Sequence, residues 1–153
     1  ATQQPEKASI ELDALRELLK DSSLYVPFTP FSPAIDAARV AEQMLLGIIH
    51  YERNMSKGAI RHFSKADSIE AAMIYNEPRD WLISPKQFLG YAYIQDNNGT
   101  GANKTFSADL LINKDNVWSM LGLYKALRLQ SKNTAADLLL KKIKKIFPGQ
   151  NVD

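Results

Sequence analysis

The 153-residue chain contains no cysteine. Disulfides, iron–sulfur clusters and thiol catalysis are thereby excluded, and zinc would have to be held without its commonest ligand. The absence suits a reducing cytoplasm and equally a cysteine-poor periplasm, so the compartment stays open between the two. No run approaches the ~18 apolar residues that a membrane-spanning helix needs. Charge of one sign is scarce too: nineteen Lys and Arg against seventeen Asp and Glu leave +2. Nucleic-acid binders carry a concentrated basic stripe, so nucleic acid is not an expected partner. What is present, 45% apolar and 24% charged residues, is the usual composition of a soluble globular protein, with length for one continuous core. The opening Ala1-Thr2-Gln3-Gln4 has neither an initiator methionine nor an apolar leader. The expectation is that something upstream belongs to a larger parent protein.

Periodicity predicts helices and nothing else. Leu12, Leu15 and Leu19 share one face of a short helix over about residues 9–20, at spacings of three and four. Tyr25-Val26-Pro27-Phe28-Thr29-Pro30-Phe31-Ser32-Pro33 follows. Prolines at every third position cannot continue a helix, so this is an extended connector. Tyr25, Phe28 and Phe31 are expected to lie on the core; the alternative is a proline-rich ligand motif. Ser32-Pro33 and Ser84-Pro85 read as helix starts, serine capping and proline first in the helix. Helices are expected over about 33–53, 56–75 with Ser56 as cap, 85–96, 100–112, 116–130 with Asp115 as cap, and 133–147, where Pro148-Gly149 ends the last.

An internal repeat organises these helices. Leu-Gly occurs at Leu46-Gly47, Leu89-Gly90 and Leu121-Gly122. Twelve residues after each glycine stand Ala59, Ala102 and Thr134, and sixteen after stand Phe63, Phe106 and Leu138. Two helices approach closely where one side chain is nearly absent, and a mid-helix glycine costs about 1 kcal/mol against alanine, so three in phase imply a packing demand. The three glycines are expected in equivalent places of successive units, each beside the large residue sixteen positions on. One helix pair cannot bury its own apolar face, whereas stacked pairs can.

On these residues the chain resembles the tetratricopeptide repeat family. Trp118 occupies the leading aromatic of the third unit, Tyr93 the aromatic after Gly90, and Ala66 the last alanine of the first unit. Asp109 and Lys141 stand where the other units carry that alanine, Lys114 stands where a terminal proline belongs, and the glycines are 43 and then 32 residues apart against the family's 34. The resemblance, closest to carboxy-terminal repeats of bacterial proteins of unassigned role, implies an all-α, right-handed α-solenoid of about three antiparallel pairs. The units fall at about 34–76, 84–113 and 115–147 of a repeat domain over 34–150, preceded by a helix and connector over 1–33. It also implies a scaffold that binds a protein or peptide. Met44, Ile48, Tyr51, Gln87, Tyr91, Ile94, Ser119 and Leu123 would line its concave groove.

No constellation predicts catalysis, and no cofactor is expected. His50 and His62 would need Glu52 or Asp67 as a third metal ligand, and their spacing is no recognised ligand pattern. Asn98-Gly99-Thr100-Gly101 has neither the preceding strand nor the lysine of a phosphate loop. The loop Asn76 to Trp81 is read either as a junction plugged by Trp81 or as a recognition edge presenting Arg79 and Trp81, types favoured in binding hot spots. Lys141, Lys142, Lys144 and Lys145 are expected to form a solvated outer face, with binding to anionic membrane or nucleic acid as the alternative. Two other function classes stand beside the scaffold: self-association into a dimer through exposed solenoid ends, and a small helical enzyme or ligand-binding domain with a closed pocket.

Overall fold

The computed structural model describes residues 5–27, 30–74 and 81–148. Among them are seven α-helices and one 3-10 turn, with no strand, and no helix is long and apolar enough to cross a membrane. The chain is all-α. It divides into two compact units, Ala1–Pro85 and Lys86–Asp153.

The first unit holds α1 (Pro5–Leu18), the 3-10 turn Ser22–Tyr25, α2 (Ala34–Glu52) and α3 (Ser56–Ala72). Helix α1 packs on α2, burying Leu12 while Arg16 Nε donates to Glu42 at 2.9 Å. The 3-10 turn begins where Asp21 Oδ1 accepts from the Ser23 amide, a bond that holds the exposed Asp21 carboxyl below its ordinary range. Ile35, Val40, Met44, Gly47 and Ile49 of α2 are buried, as are Ala59, Phe63 and Ala66 of α3, each set at helical spacing. Ser32 does not cap α2: its Oγ accepts from the Ile74 amide at 2.8 Å, and Pro33 holds the cap position with no side-chain bond. Tyr25 and Phe31 do not lie on the core but stand about half exposed. Tyr25 is instead covered by the Arg39 guanidinium, 5.6 Å above the ring. Phe28 lies outside the described residues.

The second unit holds α4 (Pro85–Gln95), α5 (Gly99–Ile112), α6 (Val117–Leu129) and α7 (Asn133–Ile146). Its centre is Ala102, Phe106 and Ala126, with Tyr91, Tyr93, Ile94 and Leu123 packed against them. Asn116, not Asp115, caps α6, its Oδ1 accepting from the Ser119 amide. Asp115 takes a left-handed backbone, φ 54°, and pairs with Lys142 at 2.8 Å.

One turn is built three times. Asn54, Asn97 and Ser131 have φ of 57°, 55° and 57°. The amide after each, of Met55, Asn98 and Lys132, donates five residues back to His50, Tyr93 and Leu127. Their own amides donate three residues back, to Tyr51, Ile94 and Arg128. This is the Schellman closure, which satisfies carbonyls that a helix end would leave bare. The next helix starts two residues on in all three cases. Met55 therefore occupies the cap position expected of Ser56.

Alignment on this turn shows which repeat positions are equivalent. Five residues before it stand Ile49, Ala92 and Ala126; five after, Ala59, Ala102 and Ala136, all six buried. Twelve after stand Ala66, Asp109 and Ile143, all fully buried. Gly47 and Gly90 both precede the turn by seven residues, but Gly122 precedes it by nine. Two extra residues rotate a helical position by about 200°. A Cβ on Gly47 would collide with the ring of Phe63 and one on Gly90 with Phe106, whereas one on Gly122 meets Phe106 again and not Leu138. The third glycine is thus not equivalent to the other two. Leu138 is 63% exposed and Thr134 is exposed; Ala136 and Ile143 are buried in their stead.

Phe106 is fully buried and boxed by glycines on α4 and α6, so it cannot retreat from an added methyl. Gly122→Ala is expected to lower stability by about 1–3 kcal/mol, although alanine is the better helix former by about 1 kcal/mol. Ser131→Gly, which relieves a left-handed residue, is expected to raise it by up to ~1 kcal/mol. Urea unfolding of the two variants checks both signs.

Candidate partner-binding surface

The eight residues expected to line a groove fall into different environments. Met44 is buried and Ser119 fully so; both are core rather than wall. Ile48 and Tyr51 of the first unit are half-buried, and burial, followed by the Glu52 charge, pushes the Tyr51 hydroxyl up. In the second unit Gln87 is half-buried, and Tyr91, Ile94 and Leu123 converge on the Phe106 cluster. Tyr91 meets Phe106 edge-on at 5.2 Å, takes the Lys125 ammonium 5.6 Å from its ring centre, and donates its hydroxyl to the Trp118 carbonyl. Its contacts serve packing.

The buried polar groups are likewise engaged. Asp109, at a position where the family pattern has alanine, is fully buried. It accepts from Ser119 Oγ on α6 and from Asn113 Nδ2 at 2.8 Å. The departure at Asp109 is thus matched by Ser119 across the α5–α6 interface. In the first unit His50 and His62 stack, ring centres 5.1 Å apart. His62 Nδ1 lies 2.9 Å from Gln43 Oε1 and Nε2 3.3 Å from the Arg61 guanidinium. His50 Nδ1 is buried against Gly58, where a Cβ would strike the ring. Sequence reasoning named both histidines but not Gly58, the small residue that admits the stack. Among the described residues no three His, Asp or Glu side chains converge as a metal-holding group; Glu52 and Asp67 do not complete one. Above the histidines a cleft of about 600 Å3 between α2 and α3 is lined by Asp36, Arg39, Glu42, Gln43, Lys65 and Ser68. It mixes both charges and selects neither.

Arg79 lies outside the described residues. Trp81 is half-buried, and among the described residues nothing accepts from its buried indole N–H. The four lysines of α7 are exposed.

Large apolar side chains open to a partner stand at the α5–α6 corner, as they do on α1 and at Leu82 and Ile83. Leu111 is 80% exposed and Ile112 more than half, at the end of α5; Trp118, at the start of α6, is 62% exposed. The resemblance places Trp118 at the leading aromatic of the third unit, and the structure turns it outward. A signal was available. Leu110-Leu111-Ile112 are consecutive, and three successive residues span about 200° of a helix, so one face cannot bury them all. Comparison of the chain with protein-family models, curated proteins and solved structures finds no match.

His62 sets a pH dependence. His62 holds its proton less readily than a free imidazole, through burial first, then Arg61, His50 and Lys65, with Glu42 opposing. A lowered folded-state value leaves stability complete above about 6.5 and erodes it below, where the unfolded chain binds more protons. The urea midpoint should therefore fall between pH 7 and pH 5, and His62→Gln should flatten that slope.

Proposed function

We propose that the chain is a tetratricopeptide-like module that binds a segment of a partner protein and performs no chemistry of its own. The observation that carries this reading is the thrice-built turn. Measured from turn to turn, Asn97 to Ser131 is 34 residues, the family's period; the interval of 32 between glycines reflects only the two-residue offset of Gly122. The contacts Ser32–Ile74, Gln43–His62 and His50–Gly58 close in on the turn at Asn54, which favours antiparallel pairing of α2 and α3. Within the second unit α6 packs on both α5 and α7, as stacked pairs would. A stacked array of this kind presents extended surface to a partner. The engaged state of Asp109, Ser119, Gln43 and His62 supports binding over catalysis.

The partner is engaged at the α5–α6 corner by Trp118, Leu111 and Ile112, a tryptophan with aliphatic neighbours being a frequent anchor. A Leu111→Ser/Trp118→Ala variant is expected to keep its helical circular dichroism and urea midpoint. It should lose, by at least ~10-fold in affinity, the protein that the wild-type chain retains on an affinity column. Undiminished retention would remove the corner from the binding surface.

A further inference from the structure

The formal charge of +2 conceals a division. Residues 1–85 carry nine Lys and Arg against twelve Asp and Glu, a balance of −3; residues 86–153 carry ten against five, a balance of +5. Opposite charge is concentrated on the outward faces of α1 and α7.

On α1 the buried side is marked by Leu12. Opposite it, Ile10, Ala14 and Leu18 follow one another at intervals of four, a single line along the helix. All three are exposed, Ile10 by 68% and Leu18 by 66%. Glu6, Asp13 and Glu17 flank the line on one side and Glu11 on the other, all exposed. Exposed Lys7 stands on the line three residues before Ile10, Arg16 is turned to Glu42 of α2, and Lys20 just past the helix pairs with Glu17. On α7, Ala136 and Ile143 face the core, and the opposite side presents Leu138 among exposed Lys141, Lys142 and Lys145. One helix thus offers an apolar stripe bordered mainly by carboxylates; the other offers a leucine bordered by ammonium groups, of which Lys142 is already paired with Asp115.

We infer that the outward face of α1 binds the outward face of α7 of a second copy of this chain. The apolar residues meet in the middle of the contact and the charges pair around it, the arrangement of core and rim usual at protein interfaces. The two surfaces differ, so the contact is heterologous. Each copy keeps one unused face of each kind, and association continues from copy to copy unless rotation closes a ring. A membrane surface fits less well. The apolar side of α7 is occupied by its own core, leaving Leu138 and the partly exposed Ile146 to enter lipid, and the carboxylates of α1 would be repelled. This inference uses surfaces apart from the α5–α6 corner and stands or falls separately from partner binding there.

Sedimentation of the wild-type chain over a range of concentrations, at low and high salt, tests it. Mass should rise beyond dimer with concentration at low salt, and the apparent Kd should weaken by ~10-fold or more in ~0.5 M NaCl, where screening shortens to a few ångströms. Lys141→Glu/Lys145→Glu and Glu11→Lys/Glu17→Lys, each checked for unchanged circular dichroism, should hold the chain at monomer mass. The chain carrying all four substitutions should associate again, because the charges are exchanged and not lost. A wild-type chain that stays monomeric at every concentration overturns the inference. So does a dimer indifferent to either double substitution, or a monomer that instead sediments with vesicles of equal phosphatidylcholine and phosphatidylserine. Failure of the four-fold variant to reassociate while remaining helical would also overturn it.

Discussion

A phenylalanine ring laid where a neighbouring helix has no side chain is the contact on which the rest of this structure depends. Phe63 lies over Gly47, and Phe106 is held between Gly90 and Gly122. The glycines disfavour the helices that contain them, and that cost is accepted because the backbone there must come within reach of the ring. Phe106 does this twice, so a single side chain fixes α5 against both α4 and α6. The Tyr91 ring, edge-on to it, then has its orientation determined, as does the hydroxyl that reaches the Trp118 carbonyl.

The turns determine what those rings can reach. Asn54, Asn97 and Ser131 all adopt a left-handed backbone without being glycine, a conformation that asparagine tolerates better than serine. Each turn starts the following helix in the same phase, and so Ala59, Ala102 and Ala136 are buried alike. The phase of the preceding helix is freer. Gly122 stands two residues farther from its turn than Gly47 and Gly90 do, and faces Phe106 of α5. One architecture thus tolerates a shift in its most constrained residue, provided a ring lies on that side too.

This explains what could be read from the sequence. The helices were legible because the apolar spacing of three and four is imposed by burial itself, and the breaks at Asn54, Asn97 and Asp115 carry turn-forming side chains. The match of Gly47 to Phe63 and Gly90 to Phe106 followed from a fixed interval of sixteen. The third interval did not, because sequence counts residues and packing counts rotation from the turn. Leu138 was therefore expected in a place that the structure gives to Ala136, Leu140 and Ile143. Caps were misread for a related reason: Ser32 and Asp115 have the right chemistry, but each is drawn to a partner distant in the chain, Ile74 and Lys142. Local pattern does not contain such competition. The groove residues failed in part for the same cause. Ser119 looked like an amphiphilic wall position until Asp109, ten residues earlier, required its hydroxyl.

The distribution of side-chain size gives the last step. The fully buried positions include Ala59, Ala66, Ala92, Ala102, Ala126 and Ala136, while Leu111, Trp118, Leu138, Ile10 and Leu18 are more than half exposed. Small residues inside let helices approach closely, within a core that also holds two phenylalanines and the larger side chains of Leu12, Ile35, Val40, Met44, Ile49, Leu89, Met120 and Ile143. Other large aliphatic side chains are carried on the outside. Single exposed apolar residues are ordinary on any protein. Here they recur at the α5–α6 corner and along α1, beside several carboxylates in the latter case. Each alanine or glycine of that core gains less from burial than a leucine would, at about 25 cal/mol per Å2 of apolar surface. A fold of this kind is therefore stabilised further by whatever covers those side chains, so that binding and folding draw on the same surface.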